Sequence, residues 1–362
     1  MNRWSICILV AALSLAGIGH AEETAQPEKT RPEDDKVEAA IKKATDYLLS
    51  QQKDDGSIQD AKNETAMTSL AIMALSATGH LTTDQTKEGK ALRKALEFVL
   101  RDDRQEENGY FGSRDGSRMY GHGIVSLMLA ELLGMGVDED HDRRIRKRLD
   151  KAIQLILWAE DRKQADSGHH GGWRYTPDTM DSDLSVTIWQ LLALRSAKNA
   201  GLDVPKKAID AAIGYLKRSY YSQRDTEGKP INMKSACGYQ PGGSPSFASG
   251  AAGLLALQAC GEYEAPEVKG SAEWLKELKL DYNTAMFFYG TYYYAQGMYQ
   301  YSGEYAEHAK RITESILLPK QQEDGSWQAP GGYEQAAGKV YSTSMAILSL
   351  SVQYHYLPIY QR

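Results

Sequence analysis

The stretch Ile316-Leu317-Leu318-Pro319-Lys320-Gln321-Gln322-Glu323-Asp324-Gly325-Ser326-Trp327 decides the fold, because its pattern occurs twice. Tyr47-Leu48, Gln52, Gly56 and Ser57 stand at the same spacings as Ile316-Leu317, Gln321, Gly325 and Ser326. Each copy ends an amphipathic helix. The first covers 37–52, with Val37, Ile41, Ala44 and Leu48 on one stripe; the last covers about 309–318, with Ile312 and Ile316 on one stripe. Each copy is followed by a more apolar helix of small residues, at 65–77 and 341–352. The unit is helix, glycine loop, helix.

Working inward from the two ends, four more units fit. The second is 91–100, the loop Gly109-Tyr110-Phe111-Gly112, then 122–133. The third is 149–159, the loop Gly171-Gly172-Trp173, then 184–197. The fourth is 207–218, the Gly238-Tyr239 loop, then 247–259; the fifth is 268–278, a short connection near Asp281-Tyr282, then 285–299. Gly79, Gly136, Gly201 and Gly261 follow second helices and read as C-terminal caps. The second helices are apolar nearly all round, as in Met67–Leu75, and such helices are buried. The first helices keep a charged face, as at Lys42, Lys43 and Asp46. An inner ring of apolar helices inside an outer ring of amphipathic ones satisfies both patterns. It also leaves no terminal repeat exposed. The predicted fold is an all-α toroid of about six helical hairpins, over 37–362.

Ahead of the repeats, Arg3, the apolar run from Ile6 to Ile18 and Gly19-His20-Ala21 predict a signal peptide over 1–21, with cleavage near Ala21 and a secreted or periplasmic product. Residues 22–36 are charged, contain Pro27 and Pro32, and read as a flexible leader. A formal net charge of −6 argues against a nucleic-acid partner, and no later segment is long and apolar enough to span a membrane. Cys237 and Cys260 flank one helix, about 20 Å apart along it, and read as separate thiols.

The repeats resemble those of the prenyltransferase and squalene-cyclase family, whose signature is an aromatic-aliphatic pair, a glutamine and Gly-x-Trp. The last unit carries Ile316, Leu317, Gln321, Gly325 and Trp327; the first carries Tyr47, Leu48, Gln52 and Gly56, with Ile58 in the tryptophan slot. The resemblance implies the family's α/α toroid. Asp181-Ser182-Asp183-Leu184-Ser185 is similar to the acid motif of the squalene-hopene type cyclases. There the middle aspartate protonates an alkene; Asp183 falls on that position and Asp181 on the first, while Leu184 replaces the third acid. The competing expectation is that Asp181 or Asp183 caps the following helix.

Alignment of the units puts Glu64, Ser246 and Lys339 at the level of Asp183, with Asn283 and either Gly121 or His122 beside them. In a closed ring these converge on one mouth of a central cavity, the usual form of a ligand site. Trp173, Trp189, Phe288, Tyr292 and Tyr299 supply aromatic faces for an apolar or aromatic ligand. The expected function is a toroid that binds such a ligand, with cyclase- or isomerase-type acid chemistry at Asp183. The alternatives are a non-catalytic scaffold, a thioester protein at Cys237-Gly238-Tyr239-Gln240, and a polysaccharide-active toroid. A zinc prenyltransferase is disfavoured because its Asp-x-Cys pair is missing and His169-His170 are adjacent. No metal or other cofactor is expected.

Overall fold

The computed structural model describes residues 32–163 and 167–354. The predicted signal peptide and most of the leader lie outside the described residues. In chain order the helices are α1 (Pro32–Ser50), α2 (Glu64–Ser76), α3 (Lys87–Val99), α4 (Arg118–Leu132), α5 (Glu139–Asp161) and α6 (Leu184–Asn199). There follow α7 (Lys206–Ser219), α8 (Phe247–Ala259), α9 (Pro266–Lys276), α10 (Phe287–Tyr301), α11 (Gly303–Leu317), the short α12 (Gly332–Ala337) and α13 (Lys339–Leu350). None of these helices is long and apolar enough to cross a membrane.

The helices α2, α4, α6, α8, α10 and α13 pack in that cyclic order, and α13 returns to α2, which closes an inner ring. They are buried on nearly every side, as their all-round apolar sequences require. The helices α3, α5, α7, α9 and α11 each lie outside the inner helix that precedes them in the chain, and α1 lies against α13. The molecule is the predicted α/α toroid. The packed pair, however, is an inner helix with the next unit's outer helix, one step out of phase with the repeat read from sequence. The N-terminal helix is thereby the outer partner of the last inner helix, and the ring closes through the two ends of the chain.

The repeated glutamine explains this phase. Gln321 Nε2 donates to the Gly325 carbonyl of its own loop, at 2.9 Å, and to the Ala40 carbonyl on α1, at 2.8 Å. Gln52 donates likewise to Gly56 and to Ala91 on α3. Gln105 does the same to Gly109 and to Arg148 on α5, so the signature extends into the second unit, where the sequence showed it less clearly. In these three loops one amide joins the loop to the next outer helix. The glycine four residues on is required by the same contact. At Gly325 φ is +86°, and a Cβ would collide with the Lys43 carbonyl oxygen, one turn along α1 from Ala40.

Two residues after the glycine, a large side chain fills the space beneath the loop. Trp327 and Trp173 are fully buried, and their indoles donate to the Leu317 and Ile156 carbonyls at 2.8 and 2.9 Å. Their own amides donate to Thr343 and Thr187 on the inner helices. Ile58 and Phe111 occupy the same slot, with Thr68 and His122 as acceptors.

Some boundaries differ from the periodicity. Helix α5 begins at Glu139, ten residues before the predicted start. Its first turns are charged and carry little apolar pattern, but Asp138 caps them by accepting from the His141 amide at 2.8 Å. After α4 the left-handed residue is Gly134, with φ +90°, and not Gly136, whose amide is held by Asp142 at 3.0 Å. Gly79, Gly201 and Gly261 have the predicted left-handed conformation.

The Gln321 contact makes a direct test. Gln321→Ala leaves two buried carbonyl groups without this donor and is expected to destabilise the fold by about 1–3 kcal/mol. Urea unfolding followed by circular dichroism reads this as a lower midpoint with an unchanged slope; an unchanged midpoint would show that the ring closes without this contact.

Candidate functional site

A helix begins with amides that have no acceptor within the helix. The inner helices bring several such ends to one mouth of the ring, where their positive dipole ends add to the need for acceptors. Five of the loops meet this need in one way: each serves the inner helix of the unit before it. Asp60 accepts from Lys339 and Val340 of α13 at 2.7 and 3.2 Å. Asp115 accepts from Thr65 and Ala66 of α2, both at 3.1 Å. The Tyr175 carbonyl accepts from Met119 of α4, and the Tyr239 carbonyl from Leu184 of α6. Glu334, on α12, accepts from Tyr289 and Phe288 of α10 at 2.8 and 3.4 Å. Asp183 and Ser246 add caps within their own units, to Val186 and Ser249.

Inside this collar of caps lies a cavity of about 640 Å³. Its rings come from Tyr120, Tyr175, Trp189, Tyr289 and Tyr341, with Tyr333 on the rim. Ala66, Met67 and Ile124 supply an apolar wall, and Arg118 and Glu334 its opposite charges. The tyrosine hydroxyls are tied into the wall. Tyr120 Oη lies 2.6 Å from Ser185 Oγ, which donates to Asp183 Oδ1 at 2.7 Å. Tyr289 Oη donates to the Ser185 carbonyl at 3.1 Å, Tyr341 Oη donates to Glu334 at 3.2 Å, and Tyr175 and Tyr239 share a hydroxyl contact of 2.7 Å. Tyr120, Tyr175, Tyr289 and Tyr341 are each held through the hydroxyl, so these four ring faces are preorganised.

Burial pushes the Glu334 carboxyl above the usual range, against the opposing pull of the Tyr289 and Phe288 amides and the Tyr341 hydroxyl. Burial likewise raises Asp183, opposed by the Val186 amide, the Ser185 and Tyr239 hydroxyls and the Arg174 guanidinium. Arg174 Nε lies 3.2 Å from Asp183, and the same side chain bonds Asp181 at 2.6 Å.

Of the side chains singled out in the sequence, Trp189 borders this cavity. Asp183 is fully buried behind Ser185 as the cap of α6, and Asp181 pairs with Arg174 nearer the surface. Glu64 pairs with Arg104, Ser246 closes a capping box on α8, and Lys339 reaches Gln322 and Asp324. His122 stands one turn deeper than the level assigned to it, and Arg118 holds that level instead. Trp173 lies under its loop, Phe288 packs on Tyr282 and Phe287, and Tyr292 stacks on Trp189 with centroids 5.9 Å apart. Tyr299 lines a smaller hollow of about 230 Å³ with residues of α11 and the C-terminal end of α13. Asn283 lies in the turn before α10, outside the cavity.

The residues that sequence reading missed include Arg118, Tyr120, Tyr175, Tyr289, Tyr333, Glu334 and Tyr341. Tyr120 needed only the correct start of α4. Glu334 was signalled by Pro330-Gly331-Gly332, which breaks the chain and leaves room for the extra helix α12. At the fourth loop, Cys237 is buried with its thiol directed to the Leu216 carbonyl, and Gln240 donates its side-chain amide to Ser182 at 2.8 Å. The two groups that a thioester would join are engaged separately. Cys237 and Cys260 are both free thiols.

No protein-family model and no curated protein matches the chain. Solved structures do. A D-mannose isomerase is 13% identical, with a TM-score of 0.59, over 90% of this chain and the whole of its own. The cellobiose 2-epimerase from Spirochaeta thermophila DSM 6192 is 14% identical, with a TM-score of 0.58, over 90% of this chain and 98% of its own. A structure titled as a wild-type glycosidase is 12% identical, with a TM-score of 0.52, over the same shares. At such identities the likeness is one of fold. The resemblance to squalene-cyclase repeats therefore holds for the toroid and does not extend to membership of that family. What this chain shares with its structural neighbours is the architecture of an α/α toroid.

His122 yields a test of the enclosed part of this region. Its Nδ1 accepts from the Phe111 amide at 3.3 Å and its Nε2 faces the Ala152 carbonyl at 3.1 Å, so the neutral ring is the form that fits. Burial pushes the group down to about 4, from 6.5. Its contribution to stability is complete above pH 6.5 and is lost as the pH falls through 4, with a total of about 3 kcal/mol. The difference in unfolding free energy between the parent and His122→Gln should shrink by that order between pH 7 and pH 4; a difference that stays constant would refute the assignment.

Proposed function

We propose that the tyrosine-lined mouth binds a saccharide, and that this protein is a carbohydrate-binding toroid. The observation that carries the reading is the set of ring faces from Tyr120, Tyr175, Trp189, Tyr289 and Tyr341 around one open cavity, each tyrosine anchored through its hydroxyl. A sugar ring has apolar C–H faces and a polar rim. Aromatic faces take the first, and hydroxyl, guanidinium and carboxylate groups at the edges take the second. A volume of about 640 Å³ suits a ligand of this class. The solved structures of the same fold include an isomerase of mannose, an epimerase of cellobiose and a glycosidase, which supports the class of ligand. Export, as the N-terminal residues predict, would place the cavity where polysaccharide is met.

Binding suits the wall better than hydrolysis does. Glu334 is the one acidic residue among the described residues that line the cavity, and it already accepts from two amides and a hydroxyl. Glycoside hydrolysis ordinarily needs two carboxyl groups facing the bond. Asp183 acts on the cavity through Ser185 and Tyr120, as a positioning residue. The apolar wall of Ala66, Met67 and Ile124 favours a second reading, an isoprenoid or other apolar ligand.

Calorimetric titration with neutral mono- and disaccharides, set beside an isoprenoid alcohol, separates the two. Saccharide binding is expected, weakened about 2- to 10-fold by Tyr175→Ala through the loss of one ring face. Binding of the isoprenoid alcohol alone would overturn the reading in favour of the second. Asp183→Asn should keep saccharide affinity within about threefold, since asparagine also caps a helix and the carboxylate is shielded by Ser185. Abolished binding with the fold intact would return the acid to the centre of the site.

A further inference from the structure

The cavity does not end at α12. A second depression of about 490 Å³ lies beside it, lined by Asn283, Thr284, Pro330 and Gly331, and it shares Met286, Tyr333 and Glu334 with the first. The two are compartments of one groove, and the shared residues form the divide. Each lies within the range of about 300–1,000 Å³ typical of a site for one small ligand. The groove therefore has room for more than one ring-sized unit.

The divide is built to present an aromatic ring. Tyr333 is 89% exposed, more than any other large hydrophobic side chain among the described residues. A ring so placed contributes nothing to the core, and its apolar faces remain open to a ligand. Its backbone is nevertheless fixed. The next residue, Glu334, is buried and joined to the start of α10, and Gly332 and Gly338, with φ of +69° and +95°, turn the chain sharply at either end of the short helix. The two compartments also differ in character. The first is walled by rings, whereas the second is walled by short polar side chains and glycine backbone, which suits hydroxyl groups over an apolar face.

Resting on the saccharide reading, we propose that the groove binds a chain of linked sugar units and not a single sugar. One unit lies in the ring-lined cavity. The following units cross Met286 and Tyr333 into the compartment lined by Asn283 and Thr284. The ligand class is then an oligosaccharide or an accessible stretch of polysaccharide, recognised along its length.

The full chain is titrated calorimetrically with neutral gluco-, manno-, xylo- and chito-oligosaccharides of one to six units. In the series that binds, affinity should rise roughly tenfold or more from the disaccharide to the hexasaccharide. Tyr333→Ala and Asn283→Ala should each weaken the hexasaccharide by a larger factor than the disaccharide. Both side chains are exposed, so a thermal melt of each variant should match the parent and show the fold intact. Equal affinity for the two lengths, or equal losses in the variants, would overturn the chain-binding proposal and leave the saccharide reading standing. No binding by any series would overturn both.

Discussion

Everything at the functional end of this molecule depends on how the buried inner helices satisfy their first amides. A helix that starts at the surface can leave these groups to water. Here the starts of five inner helices meet around one cavity, where unpaired amides would each cost about 1–3 kcal/mol. The loops supply acceptors across unit boundaries, from Asp60 to α13, from Asp115 to α2 and from Glu334 to α10. The carboxylates around the mouth are thus first of all the caps of the ring. Their placement follows the amides and positive dipole ends of the helix starts.

This constraint also sets what the cavity can present. With the carboxylates engaged at the helix starts, much of the cavity surface is left to tyrosine and tryptophan rings. Tyrosine suits the position, since its hydroxyl can be tied into the wall while its faces stay open. The chain from Tyr120 through Ser185 to Asp183 shows the arrangement most clearly: the buried acid fixes a serine, and the serine fixes a ring of the cavity wall. The extra helix α12 adds Glu334 as a cap and Tyr333 as an exposed ring in consecutive residues, so one short insertion both closes α10 and shapes the groove.

The glutamine repeat has a matching role on the outer ring. Gln52, Gln105 and Gln321 each join a loop to the next outer helix, while the loop carboxylates and carbonyls join it to the previous inner helix. Each of these three loops is therefore a clamp between neighbouring units. In a closed ring this has no free end: the last loop joins α1 through Gln321, and the first loop joins α13 through Asp60.

The sequence by itself determined the architecture. Period and spacing expose which helices are apolar all round, and the Gln–Gly pattern recurs because each copy makes the same backbone contacts. Trp189 was legible as a cavity residue because it lies one turn inside an inner helix whose start was read correctly. The tertiary structure alone decided the rest of the site. Whether an acid at a helix start faces a ligand or an amide depends on the neighbouring loop, and that loop comes from another unit. Asp183 and Glu334 are both buried acids that accept from helix-start amides, Asp183 from its own helix and Glu334 from α10, and only Glu334 also borders the cavity. A one-turn error at α4 exchanged His122 for Arg118 and hid Tyr120, because successive residues of a buried helix point in different directions while its composition hardly changes.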